Sequence, residues 1–153
     1  MKFRDTFPLT DEQVALIESE NGWTFPQAYR DFLGRHNGGV PDVNMCAVGD
    51  NQDCRVTGFI PADGIKEEAR FIENLSENAI PIAWAECGNY VLMEMSGSGA
   101  IRYWDHEEPT RDVVLAETFS GFIGALREFS LEELPPHKVI RVWIDPEFAK
   151  TLK

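Results

Sequence analysis

Three apolar runs crowd residues 80 to 104 of this chain: 80–85, 90–95 and 100–104. Each has the length and the aromatic and β-branched content of a strand. The connectors are a few residues long and rich in turn formers, Cys87-Gly88-Asn89 in the first and Ser96-Gly97-Ser98-Gly99 in the second. Glycine and asparagine tolerate the positive φ that tight hairpin turns demand. The spacing therefore predicts three consecutive antiparallel strands and excludes a long helix anywhere in that span.

The flanks read differently. Leu9-Thr10-Asp11-Glu12-Gln13-Val14 is a helix start. Thr10 caps it, Gln13 stands at the reciprocal capping-box position, and Leu9 with Val14 has staple spacing. This helix runs to residues 19–20 and stops at Asn21-Gly22. A second begins with Pro26 at its first position, where the missing N–H costs nothing. Its Tyr29, Phe32, Leu33 and His36 fall at i, i+3, i+4 and i+7, which makes one apolar face. Asn37-Gly38-Gly39 then supplies residues that tolerate positive φ, as a C-terminal cap requires. A phosphate loop would place its glycines before a helix instead.

Short strands follow at 43–47 and 55–60. Asp63 is placed to cap a third helix over 65–75, with Ile65, Ala69, Ile72 and Leu75 on one side and Glu67, Glu68, Glu73 and Glu77 mostly on the others. Residues 113–116 read as a fourth strand after the hairpin block. Thr118 opens a last long helix in which Phe119, Phe122, Ile123 and Leu126 repeat the i, i+3, i+4, i+7 pattern. Ser130-Leu131-Glu132-Glu133 is a second capping box, and 139–144 reads as a final strand. The order is two helices, two strands, a helix, three strands with a fourth, and a closing helix. Helices packed on a mostly antiparallel sheet make an α+β fold.

A chain of 153 residues, 43% apolar, has the size and composition of one globular domain, and residues 1–153 are read as such. No apolar run reaches the roughly 18 residues of a membrane span, and residues 1–5 lack the apolar region of a signal peptide. Cys46, Cys54 and Cys87 form an odd set without a CxxC pair. They read as reduced thiols, which fits a cytoplasmic location, and a zinc site would want a fourth ligand at closer spacing. The charge is lopsided, 26 acidic against 14 basic residues, net −12. Residues 135–153 hold four basic and two acidic residues, which leaves −14 on residues 1–134. Such a surface repels a phosphate backbone, which argues against nucleic acid as a partner. It attracts a basic protein, although acidity also serves solubility alone.

Catalytic motifs are missing where they would be sought. Ser96-Gly97-Ser98-Gly99 lacks the third glycine of a dinucleotide fingerprint, since Arg102 stands there, and a strand follows it. No serine has the Gly-x-Ser-x-Gly context of a hydrolase elbow. His36 lies on the apolar face of its helix, so it reads as a packed or dipole-stabilised histidine; His137, after two prolines, reads as surface. Asp50-Asn51-Gln52-Asp53 lacks the glycine and distal glutamate of a calcium loop. The densest polar stretch is RYWDHEEPTRD, residues 102–112. Its Asp105, His106, Glu107 and Glu108 include acid–base and metal-ligand types. Consecutive residues at a strand end point to different faces, so they cannot all converge. A solvated turn, then a partner-contact patch, and last a metal or catalytic site are the readings left open. No catalytic residue, metal or cofactor is expected.

Several of these stretches, in order, carry a family likeness. WTFPQAYRDFLGRHNGG resembles the opening signature of the SUKH superfamily, the group that contains the fungal Smi/Knr cell-wall assembly regulators. Tyr29, Phe32-Leu33 and Asn37-Gly38-Gly39 match its pattern, and Phe25-Pro26 replaces the usual Leu-Pro. IPIAWAECGNYVLMEMSG resembles the family's Ile-Pro-Ile-Ala segment and following strand, with Trp84 where a polar residue is common. IRYWDHE and ETFSGFIGAL resemble the next strand and the closing helix. The likeness spans about residues 10–130, leaving 135–153 as a C-terminal extension. It implies an α+β fold of helices on a mostly antiparallel sheet. It also implies a non-catalytic binding role: many bacterial members resemble immunity proteins that bind and block secreted polymorphic toxins, often nucleases, while fungal members look like regulatory scaffolds. Two expectations follow, an immunity protein covering a basic toxin domain or an intracellular scaffold holding a non-toxin client. The candidate partner contacts are Asp105, Glu107 and Glu108 at the strand end, and Glu67, Glu68 and Glu73 on the third helix. Trp84 joins them as an aromatic anchor if exposed and is a core residue if not.

Overall fold

The computed structural model describes residues 1–50, 52–111 and 113–129. Along these residues run β1 (Phe3–Arg4), α1 (Asp11–Asn21), α2 (Gln27–His36), β2 (Val40–Pro41), β3 (Met45–Ala47) and β4 (Asp53–Phe59). Then come α3 (Ile65–Glu68), β5 (Ala79–Ala85), β6 (Tyr90–Glu94), β7 (Ile101–Trp104), β8 (Val113–Ala116) and α4 (Phe119–Ala125). Strands β3 to β8 form one sheet in chain order, each neighbouring pair antiparallel. The fold is α+β, and the three-strand block predicted over 80–104 is its centre. The short β1–β2 ribbon stands apart from this sheet and was not foreseen, because two-residue strands carry no readable periodicity. The turn at 130–133 and the strand at 139–144 fall outside the described residues.

Helix α1 starts as expected, with both halves of the Thr10–Gln13 capping box present and Gly22 left-handed at its end. Helix α2 begins one residue after Pro26, whose carbonyl accepts from the Tyr29 and Arg30 N–H groups. Its apolar face is the keel of the core. Tyr29, Phe32 and Leu33 are buried, and Phe32 meets Phe59 of β4 at 4.6 Å and Phe119 of α4 at 5.1 Å between ring centroids. Phe3 of β1 stacks on His36 at 4.3 Å, so this histidine is a packing group. Burial, with the neighbouring Arg35 charge second, lowers its pKa from the ordinary value.

Asn37-Gly38-Gly39 is a joint as well as a stop. Asn37 is buried and not left-handed (φ −49); Gly38 alone takes that conformation, at φ +70. The Asn37 side chain donates to the Phe7 carbonyl at 3.1 Å and accepts from the Ala62 N–H at 2.8 Å, so it ties two distant loops to the end of α2. A Cβ on Gly39 would lie 2.8 Å from the His36 carbonyl oxygen and 2.9 Å from Thr6 Cγ2. The chain passes there only without a side chain.

The third helix departs most from expectation. It stops at Glu68, a 3-10 turn covers Ala69–Phe71, and Ile72 is extended (φ −103, ψ 109). Tertiary contacts take over the backbone here. Trp104 Nε1 donates to the Glu73 carbonyl at 3.3 Å, a group that a continuing helix would have engaged internally. Ile72 enters the core while Phe71 is left exposed. Asp63 makes no cap; Gly64 holds the N-cap position without a side-chain bond. The last helix is short as well, because the chain turns extended at Leu126 and Arg127 pairs with Met45 of β3.

Candidate binding surface

Pairing in the sheet sorts β6 and β7 onto two faces. Val91 lies opposite Tyr103 and Met93 opposite Ile101, all buried. The alternate residues, Tyr90 opposite Trp104 and Leu92 opposite Arg102, face the α3 segment. Trp84 of β5 pairs with Tyr90, so Trp84, Tyr90 and Trp104 form one aromatic row across three strands. Tyr90 and Trp104 are buried, their rings 5.8 Å apart, whereas Trp84 is half-buried. Gly58 of β4, opposite Trp84, makes room for it; a Cβ there would meet the Trp84 ring at 3.6 Å and Val40 Cγ2 at 3.4 Å.

Of the carboxylates singled out in the sequence, Glu68 meets this row through its side chain and Glu73 through its main chain. Glu68 accepts from the Tyr90 hydroxyl at 2.8 Å, and burial, helped by that carboxylate, pushes the phenol up to about 12. Glu73 gives its carbonyl to Trp104, and its side chain is exposed. Glu67 is paired with Arg70 at 2.6 Å in solvent. Directly after Trp104, Asp105 folds back to accept from the Glu107 N–H at 2.9 Å, Glu107 stands exposed, and Glu108 pairs with Arg111 at 3.6 Å. Between the two acidic segments lies a cavity of about 470 Å³, bordered by Leu75, Leu92, Trp104, Pro109, Arg102 and Arg111. Arg102 is bonded to Glu94 at 2.5 Å. The structure thus brings Trp84, Glu68 and Glu73 to one side of the sheet, whereas Asp105 and Glu107 border a separate concavity with Tyr103 and Asn89, and several of the charges are already committed to neighbours.

Tyr90, Trp104 and Asn89 were not singled out from the sequence. The register that places Tyr90 and Trp104 beside Trp84 depends on how the hairpins close. Asn89 is buried, donates to the Tyr103 hydroxyl at 2.6 Å, and accepts from the His106 main-chain N–H at 3.0 Å. His106 Nδ1 lies 2.8 Å from the same Asn89 oxygen, so the ring carries its proton there. His106 is therefore a brace for the turn. Cys46 and Cys54 face each other across β3 and β4, both buried. The Cys46 thiol donates to the Cys54 carbonyl at 3.5 Å, and the neighbouring Cys54 thiol, together with burial, pushes it up. Among the described residues no group of three His, Cys, Asp or Glu side chains is placed to hold a metal ion, and no helix is long and apolar enough to cross a membrane.

Comparison with known proteins follows the same residues. The sequence profile described as the SMI1 / KNR4 family (SUKH-1) matches residues 8–125. Over 127 residues the chain is 32% identical to a protein of Bradyrhizobium diazoefficiens named phosphoribosylformylglycinamidine synthase subunit PurL. The match covers 78% of this chain but 17% of that much longer protein.

Proposed function

Because the chain belongs to the SMI1/KNR4 family (SUKH-1), we propose that it is a non-catalytic protein-binding module, an immunity protein that binds a cognate toxin and blocks it one to one in the cytoplasm. The observation that carries this reading is the −14 charge of residues 1–134. A basic toxin domain, such as a nuclease that must itself attract phosphates, complements that surface. Exposed Glu107 and Glu73 steer the approach. Glu67, Glu68, Glu108 and Asp105 have partners in the free protein and contribute where those partners can be exchanged. Trp84 supplies apolar contact, as aromatic residues do at the centres of interfaces. The chain acts as one domain, with residues 135–153 as an extension.

Co-expression with the product of the adjacent gene tests this reading. The expected result is a one-to-one complex and rescue of growth from that product's toxicity. A non-toxic partner would favour the scaffold role instead, and inhibition well below one equivalent would overturn stoichiometric blocking.

A further inference from the structure

A second concave surface lies away from the aromatic row. A groove of about 840 Å³ runs between residues 6–9, α1 and the loop at Pro61, lined by Phe7, Leu9, Gln13, Leu16, Ile17 and Asp63 among others. Phe7 is the most exposed large apolar side chain among the described residues, at 66%, and Leu16, at 57%, is third after Phe71. Two such side chains on one groove represent apolar surface that folding has left unused.

The groove is built to hold its shape. The Phe7 N–H donates to the Asn37 carbonyl at 2.8 Å, and the Phe7 carbonyl accepts from the Asn37 side chain at 3.1 Å. The Leu9 N–H donates to the Leu33 carbonyl at 3.2 Å. Gly38 leaves space below, where a Cβ would come within 3.3 Å of the Phe7 ring and 3.2 Å of Pro61. The Phe7 backbone is thus pinned on both sides while its ring faces solvent. An anchor site held in place before binding loses little conformational entropy when it is filled.

The rim is acidic. Helix α1 carries Asp11, Glu12, Glu18 and Glu20 and no basic residue. Glu18 is turned inward to Arg30 and the Phe25 N–H; Asp63 lines the groove itself, and the exposed Glu12 and Glu20 stand one turn to either side of Leu16 on α1. Lys66 borders the adjoining cleft beside Glu20 and Asp63. We infer that this groove docks a segment of a partner protein that presents one or two large apolar side chains flanked by lysine or arginine. The apolar side chains seat between Phe7 and Leu16, and the basic ones meet Asp63, Glu12 and Glu20. This does not require the partner to be a toxin.

The test uses the whole chain and two synthetic peptides with the same Leu and Phe anchors, one flanked by lysines and one by glutamates. Amide shifts are followed by NMR. The lysine peptide is expected to move the signals of Phe7, Leu9, Gln13, Leu16 and Ile17, and to bind about tenfold or more tighter than the glutamate peptide. Phe7→Ala and Leu16→Ala alter exposed side chains, so the fold should persist, and each should weaken the lysine peptide about tenfold, as loss of an anchor does. No binding, equal binding of both peptides, or shifts confined to the Trp84 side would overturn the proposal. Self-association abolished by Leu16→Ala would also overturn it, because the occupant would then be a second copy of the chain.

Discussion

At the scale of single residues, the buried polar side chains among the described residues separate into those with partners and one without. Asn37 spends its amide on two loops, bonding the Phe7 carbonyl and the Ala62 N–H. Replacing it by alanine strands both groups, and an unpaired buried group costs about 1–3 kcal/mol. Asn37→Ala should therefore lower stability by roughly 2–4 kcal/mol in urea unfolding. A loss below about 0.5 kcal/mol would show that the clamp is dispensable. The Tyr29 hydroxyl is the opposite case. It is fully buried with no hydrogen-bond partner among the described residues, and burial pushes its pKa well above the phenol range. Tyr29→Phe removes a desolvated hydroxyl that has no compensating bond. It should leave stability unchanged or raise it by up to about 1 kcal/mol. A marked loss in the same unfolding assay would mean the hydroxyl has a partner.

At the scale of elements, α2 decides whether the layers join. Phe32 meets the rings of Phe3, Tyr29, His36, Phe59 and Phe119, which belong to four elements: β1, its own helix, β4 and α4. Phe32→Ala should cost roughly 3–5 kcal/mol, the usual figure for a large aromatic deleted from a core. Against a total of about 5–15 kcal/mol that is severe, and an unfolding midpoint close to the parent's would reject the assignment. Helices α1 and α2 are also tied by Glu18, which bonds Arg30 and the Phe25 N–H. Removing one member of a buried pair leaves the other charge uncompensated, at about 3–5 kcal/mol. The Arg30 side chain is 27% exposed, so Arg30→Ala should fall at the lower end of that range. Glu18→Gln combined with Arg30→Met should recover part of the loss, and a double variant as unstable as the single one would argue against the ion pair as the cause.

At the scale of the whole molecule, charge acts through rate. A net −14 over residues 1–134 should speed encounter with a basic partner while contributing less to how long the complex lasts. Raising ionic strength screens exposed charges beyond about a Debye length. The on-rate in stopped-flow binding should then fall, with a smaller change in off-rate. Glu107→Lys with Glu108→Lys should mimic the effect of salt without unfolding the protein. An on-rate indifferent to salt would remove steering from the account.

What the sequence determined by itself was whatever depends on near neighbours along the chain. The Thr10–Gln13 box, the Tyr29–Phe32–Leu33 face and the hairpin spacing of 80–104 are set by contacts within a few residues, where steric and hydrogen-bonding preferences act alone. The candidate carboxylates were legible as residue types in two acidic stretches. The tertiary structure decided where local preference met a stronger distant partner. Residues 65–75 have a helical pattern, yet Trp104 claims the Glu73 carbonyl and Ile72 is drawn into the core, so the helix ends after Glu68. The aromatic row of Trp84, Tyr90 and Trp104 likewise exists only once strand register is set, because register is a relation between strands and no single strand contains it.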